Sequence, residues 1–304
     1  VDFQLELRGR IVPPMRATVT LYSPTNPFQK QVLSDGKGRF RFKNLPIGTY
    51  TVSIFHPRRG EFRQTIEVTQ SFASGNGRVN ITIPFRSSTR ERQRALVQNS
   101  TVDTRVLSID PKARRRLKMA QVRLAKSRVD DAVTELQKAV EISPQFIEAW
   151  NLLGTICYQR GEYKKAEQHF RLALGHDDDA FEPTVNLGGT LLTMGHYKDA
   201  LPYNEYAVLT RPQSALANSQ FGMNHFLLGN ETRALKYLER AKRLDPSHFS
   251  HPQLILAELH VQQGKTEEAI TELQDFVQRH PDSPKVSGVR RSITNLRRMA
   301  SGRR

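Results

Sequence analysis

Apolar and polar positions change period once along this chain, soon after residue 85. Up to that point they alternate residue by residue. Phe3-Gln4-Leu5-Glu6-Leu7, Ala17-Thr18-Val19-Thr20-Leu21, Arg39-Phe40-Arg41-Phe42, Tyr50-Thr51-Val52-Ser53-Ile54, Phe62-Arg63-Gln64-Thr65-Ile66 and Val79-Asn80-Ile81-Thr82-Ile83 each place apolar side chains on one face of an extended segment. Pro13-Pro14, Asp35-Gly36-Lys37-Gly38 and Ser74-Gly75-Asn76-Gly77 punctuate them with turn chemistry. Six or seven short strands of this kind predict an antiparallel β-sandwich over residues 1–85, each sheet keeping one polar face.

Past residue 112 the period becomes helical, and the pattern itself recurs. Small residues stand at Ala120, Gly154, Gly188, Gly222 and Ala257, at steps of 34, 34, 34 and 35. Ala132, Ala166, Ala200, Ala234 and Ala269 follow them, then Ala139, Ala173, Ala207, Ala241 and, out of pattern, Phe276. Pro144, Asp178, Pro212, Pro246 and Pro281 end the copies, giving five units: 113–146, 147–180, 181–214, 215–248 and 250–283. Each reads as two helices of about three turns, split at Gly161, Gly195, Gly229 or Gly264, where a positive φ ends the first helix without a Cβ penalty. Small residues in mid-helix let the paired helices cross closely, while Trp150, Leu153, Phe170 and Tyr197 fill the flanks. Val286, Val289, Ile293 and Leu296 share one helical face, so residues 284–304 read as a capping helix with a basic tail. Residues 86–112 read as a polar linker, with Val102, Val106, Leu107 and Ile109 forming an arm against the first unit.

The 34-residue unit resembles the tetratricopeptide repeat. Ala149-Trp150-Asn151-Leu152-Leu153-Gly154, Tyr163, Ala166, Phe170 and Ala173 carry the match in the second unit. Arg116, Ser127, Asp178 and Phe276 depart from the family pattern, mostly at the ends of the array. The resemblance implies a right-handed α-helical solenoid whose first helices line a concave groove that binds a protein or peptide segment. Carried over position by position, the groove would be lined by Glu148, Asn151, Thr155 and Tyr158, then Glu182, Asn186 and Leu192. Ser219, Gln220, Met223 and Phe226 follow, and His251, Leu254 and Glu258 complete it. Asn and Gln there would bond a peptide backbone, and Tyr158, Met223 and Phe226 would anchor apolar side chains. Members that grip the C-terminal carboxylate of chaperones use cations at positions occupied here by Leu117, Gln121, Leu152, Glu182 and Asn186. With no cation present, that activity is not expected. Such solenoids also pair through exposed end faces, which leaves a homo-oligomer open.

The stretch from Asp35-Gly36-Lys37-Gly38 through Leu45-Pro46-Ile47-Gly48-Thr49-Tyr50 resembles the carboxypeptidase regulatory-like domain, which has a transthyretin-like sandwich fold. This resemblance implies a non-catalytic accessory module that tethers or orients the repeats. Such modules occur mostly in exported proteins, so an extracytoplasmic place in a bacterium, with peripheral association with the cell envelope, is expected.

Charge adds one alternative. The 46 Lys and Arg outnumber the 30 Asp and Glu, for a net charge of +16, yet residues 113–283 hold 21 basic and 22 acidic side chains. The excess lies in the sandwich, the linker and the tail, scattered rather than striped, which disfavours nucleic acid as the main partner. The alternative function is polyanion binding, to nucleic acid or acidic glycan, through Arg114, Arg115, Arg116, Lys118 and Arg123 of the first unit and the Arg-rich tail.

Candidate chemistry is sparse. No G-x-S-x-G, phosphate-cradling glycine loop or H-E-x-x-H is present. His248 and His251 flank a turn, and His176-Asp177-Asp178-Asp179 sits at an inter-unit turn where acidic residues favour the next helix. Cys157, the single cysteine, falls on an apolar helix face and reads as an inert thiol. No catalytic, cofactor-binding or metal-binding residue is assigned, no cofactor or small-molecule substrate is expected, and the chain reads as a non-enzyme. No apolar run reaches the ~18 residues of a membrane-spanning helix. No basic-then-apolar leader precedes Val1, which is consistent with a removed targeting segment or with none.

Overall fold

The computed structural model describes residues 4–85 and 108–301. The linker reading for 86–107, including Val102, Val106 and Leu107, lies outside the described residues. The chain divides into two compact units, Val1–Asn186 and Leu187–Arg304.

The first unit opens with seven strands: β1 (Leu5–Val12), β2 (Thr18–Tyr22), β3 (Gln29–Leu33), β4 (Arg39–Leu45), β5 (Gly48–His56), β6 (Gly60–Val68) and β7 (Arg78–Pro84). They form a three-stranded sheet in the order β4-β1-β7 and a four-stranded sheet in the order β3-β2-β5-β6. Leu7, Ile11, Leu21, Phe42, Val52, Ile54, Val68 and Ile83 are all fully buried between the sheets. Gly9 admits the Phe40 ring, since a Cβ there would stand 1.9 Å from Phe40 Cζ. The departure from an antiparallel sandwich is β7, which pairs parallel with β1. It follows β6 of the opposite sheet, so the chain crosses between sheets before entering the free edge of β1.

The helices follow in antiparallel pairs. The first repeat is α1 (Pro111–Leu124) and α2 (Val129–Ile142); the second is α3 (Ile147–Gln159) and α4 (Tyr163–His176); the third begins α5 (Phe181–Thr193). Asp110 caps α1 by accepting from the Lys112 amide at 2.6 Å, and Pro111 needs no amide in that first turn. Ile109 is buried in the first repeat's core, so this residue of the expected arm docks. Gly154 marks the α3–α4 crossing, where a Cβ would meet the Phe170 ring at 2.5 Å.

The second unit continues from Leu187 in α5 with α6 (Tyr197–Thr210), α7 (Ala215–Leu227), α8 (Glu231–Leu244), α9 (Pro252–Gln262), α10 (Thr266–Arg279) and α11 (Val286–Ser301). Gly222 lies against Leu238, and the place of a Cβ on Gly188 is taken by the Asn204 amide. Asn204 donates to Asn224 at 3.1 Å, and Asn224 donates to the Tyr197 carbonyl at 2.8 Å, with both asparagines fully buried between helices. Val289 and Ile293 of α11 pack with Phe276 and Leu273 and cap the last repeat. Among the described residues, the eleven α-helices are of the tetratricopeptide solenoid type.

Candidate functional site

The first helices of the second to fifth repeats carry the predicted recognition residues, and each unit presents its own share. In the first unit the crossing at Gly154 and the core residues Ala149, Leu153 and Ile156 fix which side of α3 faces inward. The other side then carries Glu148, exposed, and Asn151, Thr155 and Tyr158, half-buried. Asn186 Nδ2 donates to Asn151 Oδ1 at 2.9 Å, so the polar rows of the second and third repeats are linked side by side. Thr155 bonds back to the Asn151 carbonyl at 2.9 Å, and Tyr158 packs beside Tyr163 with ring centres 5.4 Å apart.

Glu182 is not an open ligand position. Arg63 of β6 reaches it with both terminal nitrogens, Nη2 to Oε1 at 2.8 Å and Nη1 to Oε2 at 3.3 Å. Arg63 is shared with Glu61, whose Oε1 lies 2.7 Å from Nε. Against the cost of burial, the Glu182 and Glu61 carboxylates hold this guanidinium protonated well above its usual range. Tyr22 stands in the same field, and burial pushes its phenol up to about 12. A second strut joins Gln159 Nε2 to the Ser23 carbonyl at 3.0 Å. Arg63, Ser23 and Gln159 were missed by sequence reasoning, because nothing in a strand's alternation says which polar side chain meets another domain.

In the second unit two expectations need correction. Leu192 is 7 % exposed and Ser219 1 % exposed, so neither presents a side chain to a ligand. Ser219 instead bonds Ser250 across repeats, oxygen to oxygen at 2.6 Å. Phe226 and Leu254 are partly buried and pack against helix cores, which makes them structural as well. His251 caps α9 in a left-handed conformation, φ 51°, with its ring 5.1 Å from Phe276 and 4.5 Å from His280. Burial, with His280 and Lys285 nearby, lowers its pKa to about 3, and His248 is lowered likewise. Gln220 lies over Gly189, where a Cβ would meet its Nε2 at 2.3 Å. Met223 is half-buried and Glu258 exposed; these two and the accessible part of Gln220 remain as the second unit's surface candidates.

Chemistry beyond recognition finds little support. Among the described residues no group of three His, Cys, Asp or Glu side chains could hold a metal ion. Burial pushes the Cys157 thiol up, away from nucleophilic use. An open depression of about 1190 Å³ on the sandwich is lined by Arg8, Arg10, Arg16, Arg39 and Arg41, but Glu6 and Asp35 already pair with three of these. No helix among the described residues is long and apolar enough to cross a membrane.

A β-sandwich followed by stacked helical hairpins defines a two-part repeat protein. The carboxypeptidase regulatory-like domain matches residues 8–84, and tetratricopeptide-repeat models match residues 117–183, 216–248 and 253–283. The chain thus carries a carboxypeptidase regulatory-like domain followed by tetratricopeptide repeats, a class made up in general of protein–protein interaction scaffolds. Among curated relatives, the human cell division cycle protein 16 homolog is 33% identical over 113 residues, covering 34% of this chain and 18% of that protein. The DnaJ homolog subfamily C member 7 homolog of Schizosaccharomyces pombe is 27% identical over 175 residues, 52% of this chain and 37% of its own length. The chain therefore spans well under two thirds of these relatives. Among solved structures, MamA from Desulfovibrio magneticus RS-1 aligns with TM-score 0.51 and 20% identity over 58% of this chain and 99% of that one. PilW, a type IV pilus biogenesis factor, aligns with TM-score 0.53 and 18% identity over 64% of this chain and 94% of its own. At these identities the likeness shows the fold.

Proposed function

We propose that this protein is a non-enzymatic scaffold that holds a segment of a partner protein against the first-helix faces of its repeats. The sandwich serves as its accessory module. The observation that carries the reading is the linked polar row of Asn151, Thr155 and Asn186, laid along successive first helices where side chains can pair with a peptide backbone. The carboxypeptidase regulatory-like module supports a place outside the cytoplasm, which fractionation of cells carrying the tagged full chain would test.

A second reading is favoured by α11, whose Arg290, Arg291, Arg297 and Arg298 are exposed with no carboxylate on the same helix. It makes the tail a polyanion contact. Titrating a recovered partner against salt separates the two. A peptide-type contact loses little affinity between 50 and 200 mM salt, roughly tenfold at most, whereas release of several counterions costs about 10³-fold or more. Asn151→Ala and Met223→Ala should weaken a groove ligand by about 1 kcal/mol each, with Arg297→Glu and Arg298→Glu near neutral. The reverse pattern would assign function to the tail.

A further inference from the structure

The outer face of the four-stranded sheet has the wrong accessibility for its chemistry. On β5, Tyr50, Val52 and Ile54 point into the sandwich core, so Thr51 and Ser53 point out, and Thr65 of β6 is Thr51's neighbour across the ladder. An outward Thr–Ser–Thr row on a free module would be wet. Here Thr51 is 5 %, Ser53 7 % and Thr65 2 % exposed. What lies over this side of the sandwich is read from its contacts within the first unit. Strand β3 packs against α1, the Ser23 carbonyl beyond β2 accepts from Gln159 of α3, and Arg63 of β6 clasps Glu182 of α5. Three contacts run to three successive first helices, and Glu182 is itself one of the expected ligand positions.

We propose that the β-sandwich is a built-in, displaceable occupant of the first-helix face of the N-terminal repeats, and that the partner displacing it is a basic segment that brings its own arginine or lysine to Glu182. The inference rests on the reading of that face as a recognition surface and goes beyond it by naming what already sits there. Two physical features make the cover releasable. Its most deeply buried row, Thr51, Ser53 and Thr65, is polar, with Tyr22 beside Thr51 as its aromatic part, a mixed composition of the kind found in inter-domain contacts that open and close. Its strongest single contact is a charge pair at the edge, with Arg63 33 % and Glu182 37 % exposed, where solvent and competing ions reach it. The same pair states the ligand's chemistry. A carboxylate already drawn to a two-pronged guanidinium is best satisfied by another one, with Gln159 free to donate to a backbone carbonyl of the incoming segment.

The test uses the full chain in a Cys157→Ala background, with spin labels at Arg58→Cys on the sandwich and Lys164→Cys on α4. The closed protein gives one narrow distance. Arg63→Glu and Glu182→Arg should each raise the population at longer distances by about tenfold, and the double swap should restore the narrow distance, which also excludes misfolding as the cause. Single variants that keep the parent distribution, or a double variant as open as the singles, would overturn the cover. A fluorescein-labelled hexa-arginine probe tests the ligand chemistry. It should bind Arg63→Ala at least about tenfold more tightly than the parent, and lose that gain in Arg63→Ala/Glu182→Gln. Equal affinity for all three would overturn the role of Glu182. Opening of the single variants while no partner contacts any first-helix face would defeat the scaffold reading and leave the cover standing, so the two failures are told apart.

Discussion

Replacing Gly154 by alanine adds one methyl group at the closest approach of α3 and α4. The new Cβ would lie 2.5, 2.7 and 2.9 Å from three atoms of the Phe170 ring, against the 3.4 Å or more of an ordinary contact. Phe170 is 1 % exposed, so its ring cannot swing into solvent; the helices must part or the ring must leave its rotamer. Overpacking of this kind costs about 1–3 kcal/mol. Alanine's better helix propensity returns roughly 1 kcal/mol, leaving a net loss of about 1–2 kcal/mol. Gly175 on α4 of the same repeat supplies the control, since a Cβ there meets nothing within 4 Å. Gly175→Ala should be neutral or stabilising by up to about 1 kcal/mol, close to the helix end as it is. Urea titration of the full chain, followed by circular dichroism and by the fluorescence of Trp150 in this repeat, compares the two midpoints. A Phe170→Leu change in the Gly154→Ala background should recover part of the loss relative to Phe170→Leu alone. If Gly154→Ala stabilises as Gly175→Ala does, the close helix crossing is not what the glycine provides, and the packing argument for the whole array fails.

Further outcomes follow from the second unit. Asn224→Ala strips the Asn204 amide and the Tyr197 carbonyl of a buried partner and should cost about 1–3 kcal/mol in the same titration; a loss under 0.5 kcal/mol, within the usual surface range, would mean that this network is not needed. His248 and His251 are held neutral by burial, with pKa values of about 3 against 6.5 unfolded. The unfolded chain therefore binds more protons between those limits, so stability is full above about pH 6.5 and falls with acidification, by up to about 1.4 kcal/mol per pH unit for each group. Denaturation at pH 7, 6 and 5 should show the decline, shallower in His248→Gln, and a flat profile would refute it.

Much of this architecture was legible because glycine and alanine at fixed spacing have few other uses. The crossing residues Gly154, Gly188 and Gly222 all meet the paired helix closely, and the turn glycines 161, 195, 229 and 264 all have positive φ. Strand β3 was not marked, since Gln29-Lys30-Gln31-Val32-Leu33 lacks alternation and the strand lies at a sheet edge with no fully buried position. The parallel pairing of β7 was equally hidden, because alternation gives a strand's faces and not its direction. Within the site, spacing along a first helix gave the side of the helix but not depth. Ser219 sits on the expected side and is buried because Ser250 of the next repeat closes over it, while Met223 one turn on keeps surface. Thr51, Ser53 and Thr65 read as solvent-facing for the same reason: a polar row looks alike whether water or another domain covers it.

Site-specific photo-crosslinking asks whether a partner lies on the first-helix faces. A photoreactive side chain is placed singly at Glu148, Met223 or Glu258 on first helices, and at Lys164 or Glu239 on second helices, all in the full chain in its native cells. One and the same partner protein should be captured from first-helix positions in both units and from neither second-helix position. Capture from Lys164 or Glu239 alone would contradict that placement.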